Sequence, residues 1–345
     1  MRRLIATALM PAFLFAGEPV LANDTMANFA AGGLTFSRTD AVAMVSEDLY
    51  LSTDEVRVAY RFRNLTGRDV AGTVAFPMPD IKADHFSPVA YPDGPPENPM
   101  RFSVTVDGRS VPVALAKKAM VDGIDVTDTL RELRIPLEPY AEEVEAALKR
   151  LDTDNLRRLA SRRIIQVLFG DGSEYGENGR EGPIDPGSEI VPNWVLSAAY
   201  HWQQTFPAGR DIEIRHRYKP SVGGSVLPLD AMARARNEAE LLIDGEGACL
   251  DRDFVSGARR WAERERRKQG GQLSRRIDYV LVTGGNWAGP IGSFTLTVDK
   301  GRPGNLVSFC GEGVKKIGPT LFRMTKTDFT PKENLRVLIL DTGRS

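Results

Sequence analysis

Histidine and cysteine are both scarce: His85, His201 and His216 are the three histidines, and Cys249 and Cys310 the two cysteines, of 345 residues. No H-E-x-x-H pair occurs, which excludes the zinc-peptidase helix at motif level. No G-x-S-x-G elbow and no serine followed three residues later by lysine is present, so two locally recognisable ways of activating a serine are missing. A triad assembled from distant residues stays open. An excess of one charge sign is also lacking, because 45 basic residues face 46 acidic ones for a formal net charge of −1. That balance removes the global bias of a nucleic-acid binder. After the first two dozen residues no apolar run is long enough to span a bilayer, and no fixed-period repeat is visible.

Phosphate and calcium signatures also fall short. Gly170, Gly172 and Gly176 follow an apolar run over 164–169, but the chain continues through a Gly- and Pro-rich stretch instead of the helix N-terminus that a dinucleotide fingerprint needs. Asp122, Asp125 and Asp128 are spaced by three and lack the alternating ligands and sharp-turn glycine of an EF-hand, so helix capping accounts for them better. No cofactor and no metal is implied.

The N-terminus carries the clearest address. Arg2 and Arg3 precede an apolar run over 4–17, and Val20-Leu21-Ala22 supplies the small-residue site of a secretory signal. Pro11 interrupts the run, which is shorter than a membrane-spanning helix. Removal of residues 1–22, export by the general route and a periplasmic or secreted location are expected. In that oxidising setting the two cysteines are expected to join. A Cys249–Cys310 bridge would stabilise the fold by ~4 kcal/mol on the chain-entropy account.

Period-two alternation dominates the rest. Val56, Val58, Tyr60 and Phe62 alternate with polar or small neighbours over 55–63, and Phe102, Val104 and Val106 lead to Asp107-Gly108, a tight-turn pair with a return through Val111, Val113 and Leu115. The reading is an N-terminal β-sandwich over 23–120. A helical insertion and Gly/Pro-rich loop follow over 121–188, with Asp125 and Asp128 at a helix start, Pro139 in a first turn, and apolar residues from Val144 to Val167 at helical spacing. A second β module with two helices is expected over 189–345. It opens with a hairpin of Tyr200, Trp202, Gln204 and Phe206 against Ile212, Ile214, His216 and Tyr218, turning at 207–209. The fold class is therefore mainly β, antiparallel β-sandwich modules with helical insertions, with a single large α+β domain as the alternative.

His216 shares the phase of Ile212 and Ile214, which points to a half-buried, satisfied histidine. Trp202, His216, Tyr218 and Trp287 are the candidate binding residues; tryptophans at strand spacing are more often core than groove. Nine Arg or Lys residues against Asp253, Glu263 and Glu265 make 252–276 the most basic stretch, read as a solvated helix face with Trp261 packed inward.

Local strings are more specific than periodicity. Asn23-Asp24-Thr25-Met26-Ala27 with Gly32-Gly33-Leu34, then Phe76-Pro77-Met78-Pro79-Asp80-Ile81, are followed by W-Q-Q-T-F-P-A-G over 202–209 and H-R-Y-K-P-S-V-G-G-S over 216–225. N-W-A-G-P-I over 286–291, Asp299-Lys300-Gly301 and Ser308-Phe309-Cys310-Gly311 complete the series. Together they resemble a family of secreted bacterial proteins known as domain of unknown function 4424. The resemblance spans nearly the whole chain after residue 22 and implies one continuous secreted domain. It implies no activity, cofactor or catalytic residue. The expected role is a noncatalytic envelope module whose partner, an envelope protein or surface component, is unknown. A periplasmic hydrolase with a nonlocal site near His216 and Tyr218 is the alternative.

Overall fold

The computed structural model describes residues 23–30, 33–82, 89–90, 94–168, 189–237, 241, 249–265 and 271–342. The expected signal segment over 1–22, the Gly/Pro-rich loop over 171–188 and the basic residues Arg266, Arg267 and Lys268 lie outside them.

The chain is mainly β, as its alternation implies. The 55–63 pattern forms the strand Val56–Asn64, which buries every second side chain from Val56 to Phe62. It lies near the middle of an eight-stranded sheet whose order runs Lys315–Lys316, Leu321–Phe329, Ile291–Asp299, Val42–Leu51, Val56–Asn64, Asp211–Tyr218, Ser103–Val106 and Arg109–Val111. The last two strands turn at Asp107 and Gly108, both at positive φ, as the dipeptide demands. The Ile291–Asp299 strand runs parallel to Val42–Leu51, the exception among the described strand pairs.

A second sheet is built around Val195–Phe206, which pairs on one side with Val70–Pro77 and on the other with Ala114–Val121. Thr25–Ala30 and Gly33–Ser37 extend it beyond Val70–Pro77. Here the expected hairpin is corrected. Val195–Phe206 and Asp211–Tyr218 do not pair with each other, because the turn over 207–209 carries the chain from this sheet to the eight-stranded one. Alternation fixes which side chains point inward; it does not say which sheet receives them. Strands from 23–120 and from 189–345 share both sheets.

Apolar faces of the two sheets meet in one large core that includes Phe62, Phe76, Phe102, Tyr200, Trp202, Phe206 and Phe294. A third sheet, with Gly271–Tyr279 and Leu335–Leu340 at its centre, presents Ile277, Tyr279, Val337 and Ile339 to that core. Its other face packs Leu338 and Leu340 against the helix Arg252–Glu265 through Phe254, Val255, Ala258, Trp261 and Ala262. Burying side chains of this size stabilises by roughly 1.5–3 kcal/mol each. The Arg-rich helix thus turns Trp261 inward and keeps Arg260 and Arg264 exposed. Cys249, just before the helix, is bonded to Cys310 after the strand Leu306–Phe309.

The helical insertion differs from its expectation in detail. Helices Glu142–Lys149 and Thr153–Ser161 bury Val144, Ala147, Leu148, Leu156 and Leu159, but the periodicity then breaks and Ile165–Leu168 is a strand paired with Glu189–Pro192. Pro139 precedes the first of these helices instead of entering its first turn. Thr127–Glu132 starts at Val126 without a side-chain cap, while Asp125 accepts a hydrogen bond from the Thr127 amide. The acidic trio is surface ion pairing as well as turn chemistry: Asp122 meets Arg163 at 2.9 Å and Asp128 meets Arg131 at 3.4 Å. No helix among the described residues is long and apolar enough to cross a membrane.

Candidate functional site

The greatest concentration of titratable side chains away from solvent lies where the two large sheets and the third sheet converge. Asn23 and Asp24 lead into the strand Thr25–Ala30, and with Thr25 all three are fully buried. Glu47 faces them from the strand Val42–Leu51. Val42 and Met44 point into the core in even phase; a register irregularity between Met44 and Ser46 then switches the inward phase, so that Glu47, Leu49 and Leu51 point in. A carboxyl thereby occupies a core position that unbroken alternation would have given to Ser46.

Glu47 Oε2 accepts a hydrogen bond from Asn23 Nδ2 at 2.8 Å, and the Tyr279 hydroxyl lies 3.5 Å from its other oxygen. Tyr60 donates to Asn23 Oδ1, and its hydroxyl is 3.1 Å from that of Tyr279. Asn23 fits because Gly284 stands opposite: a Cβ there would approach Asn23 Nδ2 to 2.8 Å and Ile291 Cδ1 to 2.9 Å. Next along the chain, Asp24 Oδ1 is 2.9 Å from His216 Nε2, with both side chains wholly inaccessible. The backbone oxygen of Asp24 accepts from Trp287 Nε1 at 2.5 Å, and Thr25 Oγ1 accepts from Asn286 Nδ2 at 3.0 Å. His216 is enclosed by the rings of Tyr60, Phe76, Phe102 and Trp202, with centroids 5.1–5.4 Å away.

The electrostatics follow from burial. Desolvation raises the Glu47 carboxyl to about 8, opposed by the Asn23 hydrogen bond and reinforced by the negative charge of Asp24. Asp24 is likewise raised by burial, with His216 pulling the other way. Burial pushes Tyr60, Tyr279 and Tyr218 well above the ordinary phenol range, so all three are neutral donors. Two polar atoms here have no hydrogen-bond partner: Asp24 Oδ2 and His216 Nδ1.

All four sequence candidates belong to this one core. Trp202, Tyr218 and Trp287 are each 3% exposed and His216 is 2% exposed, so they do not line an open groove, and His216 is fully rather than half buried. Trp202 and Trp287 are both brought to the cluster, one stacking edge-on to His216 and the other holding Asp24. Tyr218 packs on Phe76 and Phe102. Sequence reasoning did not single out Asn23, Asp24, Glu47, Tyr60 or Tyr279 as site residues. A signal was nevertheless present, because five of the quoted strings, those opening at Asn23, Phe76, Trp202, His216 and Asn286, meet here.

An Asp–His pair beside phenols resembles the parts of a general acid–base site, but no described path brings solvent to it. What the arrangement does is fasten the segment 23–25 to both large sheets and to the loop carrying Asn286 and Trp287.

The family model described as Domain of unknown function (DUF4424) matches residues 22–338. No curated protein matches the chain. Among solved structures, a protein from Legionella pneumophila subsp. pneumophila str. Philadelphia 1, provisionally described as nutrient binding, aligns with 12% identity and a TM-score of 0.42, covering 92% of this chain and 70% of the other. An overlap of that quality fixes neither the fold nor a ligand for the present chain.

Proposed function

The chain belongs to the family described as domain of unknown function 4424, and from that premise we propose that it is an exported envelope protein, periplasmic or secreted, that acts by binding a partner protein or surface component and not by catalysis. The supporting observation is where its reactive groups are spent. Asp24, His216, Glu47, Tyr60 and Tyr279 are all buried, Asp24 bonded to His216 and Tyr279 to Tyr60 and Glu47, joining elements of the fold. Contact with a partner then falls to the outer sheet faces and loops. Val226 and Leu273, opposite each other across an antiparallel pair, stand 67% and 40% exposed there. A photo-crosslinker placed at Val226 is expected to give one discrete adduct in the intact envelope. No adduct at Val226 or at exposed Phe29, with the protein present in the envelope fraction, counts against the reading.

A hydrolase is the second reading, favoured by the 2.9 Å Asp24–His216 contact. It requires ester or amide hydrolysis by the purified chain that disappears in His216→Ala while the fold persists.

A further inference from the structure

The buried cluster holds two carboxyl groups and one imidazole. Asn23, Tyr60 and Tyr279 contact Glu47 or each other, Asp24 faces His216, and Asp48 adds a negative charge near Glu47 from the exposed side of its strand. No lysine or arginine contacts Glu47 or Asp24 among the described residues. A buried carboxylate without a cation is costly, and proteins supply a partner or keep the group protonated. The residue already bonded to Glu47 is Asn23, the one that becomes the first residue of the chain if residues 1–22 are removed.

We propose that hydrolysis of the Ala22–Asn23 peptide bond creates the missing cation, the α-ammonium of Asn23, which forms a buried ion pair with Glu47 and thereby locks segment 23–25 into the core. Water adds its hydroxyl to the Ala22 carbonyl carbon, the amide C–N bond breaks, and the leaving nitrogen takes water's other proton and then the proton shed by the new Ala22 carboxyl, giving a carboxylate and an ammonium. Only Cα and Cβ separate that nitrogen from the carboxamide group whose Nδ2 is 2.8 Å from Glu47 Oε2. The unpartnered Asp24 Oδ2 is a second buried acceptor on the adjoining residue. Processing thus completes the fold as well as releasing the chain. This inference rests on the export reading only for the identity of the bond cut.

The test compares two purified chains, one starting at Asn23 and one retaining Leu21-Ala22 ahead of it, each with wild-type Glu47 and with Glu47→Gln. The chain starting at Asn23 should have a folding equilibrium constant at least ~10-fold higher than the extended chain at neutral pH, because breaking a buried pair is strongly destabilising. In the Glu47→Gln background the gap should shrink to within ~2-fold, the coupling expected of groups in direct contact. Equal stability of the two wild-type chains, or an equal gap in both backgrounds, overturns the pair. Should Glu47→Gln not fold, an NMR titration of the Asn23 α-amine in the wild-type chain decides. Its pKa should lie above the ordinary ~7.7–8.0, and an ordinary value overturns the proposal. Export itself is read separately, by locating the protein in the envelope fraction; an N-terminus other than Asn23 there overturns the proposal whatever the purified chains show.

Discussion

Glu47 offers the sharpest test of the buried cluster, in a chain that keeps residues ahead of Asn23 and therefore has no α-ammonium beside it. Its carboxyl is raised from 4.5 to about 8 by burial, so between those values the folded state holds a proton that the unfolded state has released. The stability this confers is fully present below about pH 4.5 and is lost as pH rises towards about 8. At ~1.4 kcal/mol per pH unit the full loss is on the order of 5 kcal/mol, of which ~3 kcal/mol falls between pH 6 and pH 9. Glutamine mimics the protonated acid and does not titrate. Glu47→Gln should thus be close to wild type at pH 5 and progressively more stable than wild type towards pH 9. Urea unfolding followed by tryptophan fluorescence at several pH values measures the difference, and titrating groups remote from Glu47 cancel between the two proteins. A difference that stays constant from pH 5 to pH 9 would refute the placement of an uncompensated acid at this position.

Replacing Cys249 and Cys310 together with alanine should cost ~4 kcal/mol, given the 61-residue separation of the bridge; a loss under ~1 kcal/mol in chemical unfolding contradicts that account. Asp24→Ala, which strips His216 Nε2 of its partner inside an apolar cage, should destabilise by ~3 kcal/mol or more by the same measurement, and a change below ~1 kcal/mol would show the pair to be idle. Gln substitution at Arg264, Arg266 and Arg267 should change stability by only a few tenths of a kcal/mol each. It should also leave binding to anionic vesicles absent at low and moderate salt, and salt-sensitive pelleting of the wild type that the triple variant loses would make this basic stretch a membrane-surface site.

Much of the fold could be read locally. The alternation at 55–63 and the Asp107-Gly108 turn each became the element their pattern implies, because short-range sterics and burial phase decide them. Partner choice between strands was not legible. Pro207-Ala208-Gly209 reads as a hairpin turn, yet the same three residues carry the chain across the sandwich. Glu47 was hidden for a related reason: one irregularity after Met44 inverts the phase of the strand, and no composition signal marks it. His216, Trp202, Tyr218 and Trp287, singled out by residue type as candidate binding residues, are all buried. Their closure against solvent depends on packing from segments more than a hundred residues away, which periodicity does not encode.

The polar cluster also explains how one docking of the first strand is chosen over its neighbours. Its contacts are mostly remote in sequence: Asp24 to His216 spans 192 residues, Tyr60 to Tyr279 spans 219, and Trp287 to Asp24 spans 263. The seat of segment 23–25 is therefore complete only when the last third of the chain is in place, and long-range closure of this kind is slow. An apolar seat would accept several registers during that time, since small side chains such as Ala27, Ala75 and Ala199 pack nearby with little preference. The polar seat does not. A slip of one residue would set Asp24 against Glu47, carboxyl on carboxyl, and leave His216 facing Thr25. Glu47 would lose the Asn23 amide and His216 its carboxyl partner, and a buried polar group left unpaired costs about 1–3 kcal/mol. Asn23, Asp24 and Thr25 thus act as a three-residue key whose order, amide then acid then hydroxyl, matches Glu47, His216 and Asn286 in turn.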